Sequence, residues 1–421
     1  MRTLKGPLRW LYPGLGVKRW LALLVFGLGL VGLGAVFLLN LLAYELTALV
    51  GGPESASLAG ALAAVAGLSI VGVSLVAVVR NIARALLPDG KLLVDRMLVQ
   101  RRLGAGLKVV AIGGGTGLSS LLRGLKRHTT NLTAIVVVSD DGGSSGRLSK
   151  EMPGLSLPPG DIRNCLAALA DEEPLMTQLL QYRFDASAPE LAGHSLGNLL
   201  IAALEEITGD FQEAIRETGR VLAIRGSVLP PTLQRVQLYA RLRDGRAISG
   251  ESNISRADAA VDYVYTDPPA AEALAEAVEA ITNADLVVLG PGSLYTSVIP
   301  HLLVPGIAQA IAASPAVRVY VCNVMTQPGE TTGMTASDHV QALLRHTDQA
   351  LFEYVVLNSK RPEVAVRDRY AAAGAQFVEP DVRQIAKLGL IPVATPLLAA
   401  DDFARHDPDE LARVLIQLAA R

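Results

Sequence analysis

Two kinds of pattern divide this chain. Trp20–Tyr44 and Ser55–Val79 carry no charged side chain, and each is about 25 residues long, enough for a tilted helix to cross a bilayer, which takes about 20. From residue 108 onward, short apolar runs alternate with amphipathic segments. Val109–Ile112, Ala134–Val138, Leu286–Leu289 and Val319–Val324 have the length and composition of buried parallel strands. Leu118, Leu121, Leu122 and Leu125 recur at helical spacing, and Ile162–Leu169 predicts a second helix. This alternation predicts an α/β fold with a doubly wound, mostly parallel sheet. Phe211–Asp267 breaks it and reads as an inserted subdomain. The expected organisation is a transmembrane helical hairpin in residues 1–79, a basic juxtamembrane connector in 80–107, and one α/β domain in 108–421 that folds without the spans.

A cleaved signal peptide is the rival reading of the first apolar segment. Its core exceeds the usual ~7 to 15 residues and a second span follows directly, so both spans are read as retained. Arg2, Lys5, Arg9, Lys18 and Arg19 precede the first span, no Lys or Arg lies between Glu45 and Ser57, and Arg80, Arg84, Lys91, Arg96, Arg101 and Arg102 follow the second. The positive-inside tendency then puts both termini in the cytoplasm. The lipid bilayer is the first expected partner. Connector cations favour anionic headgroups, unless 80–107 is a plain helical linker. The hydrophobic content of 50% and mean hydropathy of +0.36 fit an anchored protein, and a net charge of -2 carries no nucleic-acid footprint. Two spans without internal charge offer a transporter no substrate path. Only Cys165 and Cys322 occur, so disulfide staples are not expected.

Three loops carry the candidate chemistry. Gly113-Gly114-Gly115-Thr116-Gly117 follows the first apolar run and opens a helix, leaving backbone N–H groups and a helix N-terminus to meet an anion. It lacks the Lys-Ser/Thr of a P-loop, and Leu118 stands where a dinucleotide fingerprint has glycine. The bland alternative is a tight turn using glycine only for its φ range. If Gly114 or Gly115 serves close ligand approach, a valine there abolishes nucleotide binding at nearly unchanged melting temperature; if only φ matters, stability falls in parallel. The second loop holds Asp140 and Asp141, placed to accept from a sugar hydroxyl or hold a hydrated cation, or to form a solvated turn. In the third, Asp161 is an N-cap, a ligand, or both.

Further along, Gly290, Gly292, Ser293 and Asn323 end apolar runs at the same sheet edge and read as ligand-proximal or as ordinary turn residues. Gly193-His194-Ser195-Leu196-Gly197 fits a G-x-S-x-G elbow, but the polar, proline-interrupted Asp185–Ala192 precedes it where a buried strand is required. His128, His301, His339, His346 and His406 show no metal spacing, so zinc is not indicated.

The runs IGGGTGLSSLLRGLK, VVSDDGGSSGRL and LPPGDIRNCLAALA, followed in order by LAGHSLGNLLIAAL, ISGESNIS, ADLVVLGPGSLYTSVIPHLLVPGI, VCNVMTQPGETTGMTASDHVQAL, KLGLIPVATPLL and DFARHDPDELA, resemble the gluconeogenesis-factor (YvcK-like) family. That family lies in the superfamily of 2-phospho-L-lactate transferase (CofD-like). The resemblance covers about Lys108 to Arg421. It implies a Rossmann-like domain that binds a UDP-sugar, UDP-N-acetylglucosamine foremost, and acts in carbon metabolism, cell shape and envelope synthesis at a bacterial cytoplasmic membrane. Asn164, Asn198 and Arg405 join the binding set on the matching motifs. The transferase relatives use magnesium and a nucleotide diphosphate-linked phosphorylated acid, for which Asp161 is the candidate catalytic and metal residue.

Two function classes follow. One is a nucleotide-sugar sensor that needs no cofactor and contacts a regulatory protein partner; the other is a magnesium-dependent transferase. The chain resembles the YvcK-like branch more closely than the transferase branch, notably through DDGGSSGRL and PPGDIRNCL, and this resemblance favours the sensor. A homodimer or higher homo-oligomer is expected.

Overall fold

The computed structural model describes residues 101–420 apart from 140, 152–155, 172, 186, 188–189, 348 and 401–402, together with Gly29 and Gly32. Apart from Gly29 and Gly32, the two expected spans and connector residues 80–100 lie outside the described residues. Among the described residues no single helix is long and apolar enough to cross a membrane. One bent pair, Leu294–Leu302 with Pro305–Ala313, has the composition, but every residue from Leu294 to Leu302 is buried in the domain.

Leu103–Arg421 form one compact unit. Ten strands run in chain order: β1 (Val109–Gly113), β2 (Leu132–Val136), β3 (Ser227–Leu229), β4 (Gln237–Leu242), β5 (Ala247–Ser249), β6 (Val261–Asp267), β7 (Leu286–Leu289), β8 (Val317–Val321), β9 (Tyr354–Asn358) and β10 (Ile391–Thr395). Seven of them form a parallel sheet in the order β10-β9-β8-β7-β1-β2-β3. The other three, β5-β4-β6, form a separate antiparallel sheet. Five helices matter below: α1 (Gly115–Leu125), α2 (Gly143–Glu151), α3 (Gly160–Leu169), α4 (Leu196–Thr208) and α5 (Phe211–Val221).

Burial explains why the strands read as unbroken apolar runs. In β1 all five residues are buried. Val109 and Ala111 pack with α1, α3 and the C-terminal helix Pro408–Ala419, while Val110 and Ile112 pack on the opposite face with helices 305–313 and 336–345. A sheet covered on both faces leaves no polar register. The expected α/β doubly wound architecture is what forms. The insertion is smaller than Phe211–Asp267: α5 flanks the main sheet and β3 is its seventh strand, so only Gln237–Asp267 makes the separate sheet. A three-residue edge strand after a polar helix is too short to register as alternation.

The connector also ends earlier than residue 107. Leu103 is buried, its carbonyl accepts the Thr130 N–H at 3.1 Å, and Asn131 Nδ2 donates to the carbonyls of Gly104 and Gly106 at 2.9 and 2.8 Å. Thr129 Oγ1, fully buried, donates to Leu107 O at 2.8 Å. Residues 103–107 therefore belong to the domain. A fragment starting at Lys108 should be less stable than one starting at Arg101 by about 2 to 4 kcal/mol, from one buried leucine and several lost hydrogen bonds; urea unfolding of the two fragments measures the difference.

Buried histidines give a second expectation. Burial pushes His301 and His406 down to about 4, and lowers His339 and His346, whose rings hydrogen-bond the Thr335 and Ala342 carbonyls. His346 Nε2 also accepts the Val264 N–H at 2.9 Å, which ties the inserted sheet to the main domain through a neutral ring. An unfolded histidine takes its proton near 6.5. Because the folded values are depressed, their stabilisation is present above about pH 6.5 and is lost as pH falls from there to about 4. Unfolding free energy measured from pH 7.5 to 4.5 should fall, and His301→Gln should flatten that slope.

Candidate functional site

The chain leaves β1 toward β2 and later returns to β7 on the other side of β1. This reversal is the switch point of the sheet, and ligands of open α/β sheets bind outside the carboxyl ends of its strands. Gly113–Gly117 follows β1 there, and Gly290–Ser293 follows β7. Gly290 N–H donates to Ile112 O at 2.8 Å, which locks the ends of the two strands together.

The N-cap of α1 is Gly114, which has no side chain to accept from the first turn. Asp161 supplies that acceptor from α3: its Oδ2 takes the Gly115 N–H at 2.6 Å. Asp161 is not the N-cap of its own helix, a position held by Pro159. It caps α1 in trans. A Cβ on Gly114 would lie 2.5 Å from Val137 Cγ1 and 2.6 Å from Asp161 Oδ2, whereas one on Gly115, at φ +63°, would meet nothing within 4 Å. Contact of protein with protein therefore requires glycine at 114, and the left-handed backbone favours it at 115. At Gly117 a Cβ would lie 2.6 Å from Pro291 O, so this glycine seats α1 against the β7 turn.

Asn323 is spent on the β7 turn. Its Nδ2 donates to Gly292 O at 2.7 Å and its Oδ1 accepts the Gly292 N–H at 3.2 Å. Glu330, almost fully buried, holds the following residues by accepting from Tyr295 N–H, the Thr296 hydroxyl and the Ser255 hydroxyl at 3.2, 3.1 and 3.0 Å. Burial pushes its carboxyl above the ordinary range and these donors oppose that shift.

The other predicted polar residues serve elsewhere. Asp140 lies outside the described residues. Asp141 Oδ1 accepts the Ser252 N–H at 3.0 Å, at the start of the short helix Glu251–Ile254 beside the inserted sheet. Asn164 and Asn198 both accept from the buried Arg163 guanidinium at 3.0 Å, and Asn198 Nδ2 reaches the Ser144 hydroxyl at 3.2 Å. Ser195, the centre of the G-x-S-x-G run, accepts from Arg163 at 2.6 Å and N-caps α4. It stands at no strand-to-helix elbow.

A cleft of about 510 Å³ opens over the two glycine turns. Its walls include Gly114–Gly117, Gly292, Ser293, Asn323 and Arg405 from the sequence expectations, and Thr326, Tyr370, Phe403 and His406 beyond them. The Arg405 guanidinium sits 5.2 Å from the Phe403 ring centroid, within cation–π distance. First-turn N–H groups and a cation suit a phosphorylated ligand, and exposed rings suit a flat base or a sugar face. Magnesium usually takes one or two protein carboxylates plus substrate phosphates. Among the described residues no three His, Cys, Asp or Glu converge, and Asp141 and Asp161 accept backbone N–H groups at separate places. These side chains form no cage of their own for the ion.

A family model described as 2-phospho-L-lactate transferase CofD matches residues 109–398, and a putative gluconeogenesis factor of Nostoc sp. is 47% identical over 421 residues, 97% of this chain and 92% of the relative. The chain belongs to this CofD-like gluconeogenesis-factor family. The gluconeogenesis factor of Bacillus subtilis is 45% identical over 317 residues, 75% of this chain and 99% of that protein. A crystal structure of a UPF0052-family protein from Bacillus halodurans superposes with TM-score 0.70 at 45% identity, covering 73% of this chain and 98% of the other. The Bacillus members are thus matched almost whole by the α/β domain, while the additional N-terminal quarter is shared with the Nostoc member.

Gly114→Ala should cost about 1 to 3 kcal/mol of stability, by forcing Val137 and Asp161 away from the loop, and weaken ligand binding in parallel. Gly115→Ala should cost only about 1 kcal/mol. Paired melting and binding measurements on both variants check this ordering.

Proposed function

We propose that this protein is a membrane-anchored sensor whose cytoplasmic domain binds a UDP-sugar, UDP-N-acetylglucosamine foremost, and regulates carbon metabolism, cell shape and envelope synthesis through a protein partner. The observation that carries the reading is the meeting of two glycine turns at the switch point, under a cleft that also presents Arg405, Tyr370 and Phe403. The α1 N-terminus and Arg405 supply the positive field for a diphosphate, and the aromatic side chains supply faces for uracil or the sugar. Relatives named gluconeogenesis factor support the regulatory role. The two charge-free segments and their basic flanks support an anchor with both termini in the cytoplasm, and a match that takes in almost all of the Bacillus subtilis relative but only 75% of this chain supports a separate anchoring module.

The CofD description of the family model supports a second reading, a magnesium-dependent transferase acting on a nucleotide diphosphate-linked phosphorylated acid. The carboxylates favour the sensor, because Asp161 is engaged with the backbone of α1 and Asp141 with the inserted segment.

Titration of the protein with UDP-N-acetylglucosamine, with GDP as comparison and with and without magnesium, tests both. The sensor reading expects saturable UDP-sugar binding that changes little with magnesium and weakens about 10- to 100-fold in Arg405→Ala, the effect of one lost charge-assisted contact. Incubation with magnesium for hours should release no UMP or UDP. Wild-type turnover that disappears in Asp161→Asn would replace the sensor with the transferase.

A further inference from the structure

The main sheet has two edges, and they differ. At β10 the Ile391 N–H donates inward to Glu353 O at 2.8 Å, so the next, outward-facing donor position is Pro392, which has no N–H. That edge is blunted against strand addition. β3, at the other end, contains Ser227, Val228 and Leu229 and no proline. Alternate residues of a strand turn their N–H and C=O to opposite sides, so β3 presents backbone donors and acceptors away from β2, and no further strand among the described residues pairs with it there. A groove of about 250 Å³ follows this edge between β3 and α5, and every residue from Gly226 to Leu229 lines it. Four residues of extended chain span about 13 Å. A partner segment of that length can lie along the whole edge.

The lining of the groove decides what fits. Ile215, Ile224 and Val228 make it apolar, and its charged residues, among the described ones, are Arg216 and Arg220, with no acid. Their partners within the chain stand outside the groove: Arg216 meets Glu213 and Glu276, and Arg220 meets Glu217 through Nη1 alone. Exposed pairs of this kind contribute little, and a guanidinium has five N–H donors to give. The Gln212 amide nitrogen is buried in the same wall and has no acceptor among the described residues. We infer that this edge is the docking site for a protein partner, which adds a short extended segment beside β3. On the side of α5 that segment carries a carboxylate for Arg220 and, two positions away along the strand, an apolar side chain for Ile215 and Ile224. Backbone hydrogen bonds to β3 hold it and the two side chains select it. The edge is remote in sequence and in the sheet from the glycine turns, so the inference stands apart from what the cleft binds.

Binding of synthetic peptides to the full chain in a non-ionic detergent, with no nucleotide present, is the test. The probes are hexapeptides in a threonine background with valine or leucine two positions from a glutamate, so that both side chains share one face of a strand; their counterparts have glutamine or lysine in place of the glutamate. The glutamate peptides should bind saturably below about 1 mM, at least tenfold more tightly than either counterpart. Arg220→Glu should weaken them at least tenfold and turn the preference toward the lysine peptides, while Ile391→Glu, on the β10 edge, should change neither. Arg220 is largely exposed, so the variant keeps its fold. Because only alternate N–H groups of an added strand face the edge, N-methylation at one alternate set of peptide nitrogens should abolish binding and at the other set should spare it. No saturable binding of any glutamate peptide, equal binding of the glutamine peptides, indifference to Arg220→Glu, or equal tolerance of both N-methylated sets would each overturn the inference.

Discussion

The contact of Asp161 with the Gly115 N–H is the constraint on which the candidate site depends. It joins the start of α3 to the start of α1, and it requires the absence of a side chain at Gly114, where Val137, Asp161 and the loop already touch. The same contact sets the electrostatics. A carboxylate at the N-terminus of α1 uses part of the positive field an anion would use, so in the sensor reading a diphosphate would meet the remaining first-turn N–H groups with a negative neighbour. Arg405 on the far wall supplies charge of the opposite sign. In the sensor reading, an arrangement of this kind would hold an anion by balance rather than by excess charge, which suits release of the ligand when its concentration falls.

The inserted sheet is tied to two segments of the main domain. Asp141, in the loop after β2, holds the Ser252 N–H, and Ser255 reaches through Glu330 to Tyr295 and Thr296, just past the Gly292 turn. His346 adds a third tie at Val264. The insert is therefore connected by hydrogen bonds to the loop after β2 and to the segment that follows the Gly292 turn. In the sensor reading, these are the contacts through which a shift of the Gly292–Thr296 segment passes to another surface of the domain.

A shared scaffold does not by itself fix how acidic residues near its glycine loops are used. Here Asp161 serves as a trans cap and Asp141 as an anchor for the insert. Both roles consume an acceptor oxygen that an ion or a sugar hydroxyl would otherwise take.

The doubly wound sheet, the positions of β1, β7, α1 and α3 to within a residue or two, and the glycine turns were all legible in the order of residues, because burial on both faces writes strands as continuous apolar runs and turns demand glycine. Arg405 was marked too, on a motif rather than on any local pattern. What that order could not carry was the partner of each polar side chain. Asn323 belongs to Gly292, Asn164 and Asn198 belong to Arg163, and Asp161 belongs to Gly115. The last of these pairings joins residues 46 positions apart, and no spacing rule reaches across a crossover helix. β3 escaped notice because three residues at an edge show no period, and Glu330 because a buried carboxylate reads as a surface one until its donors are in place. The sequence encodes which groups must be buried or exposed; only the closure of the sheet decides which of them meet.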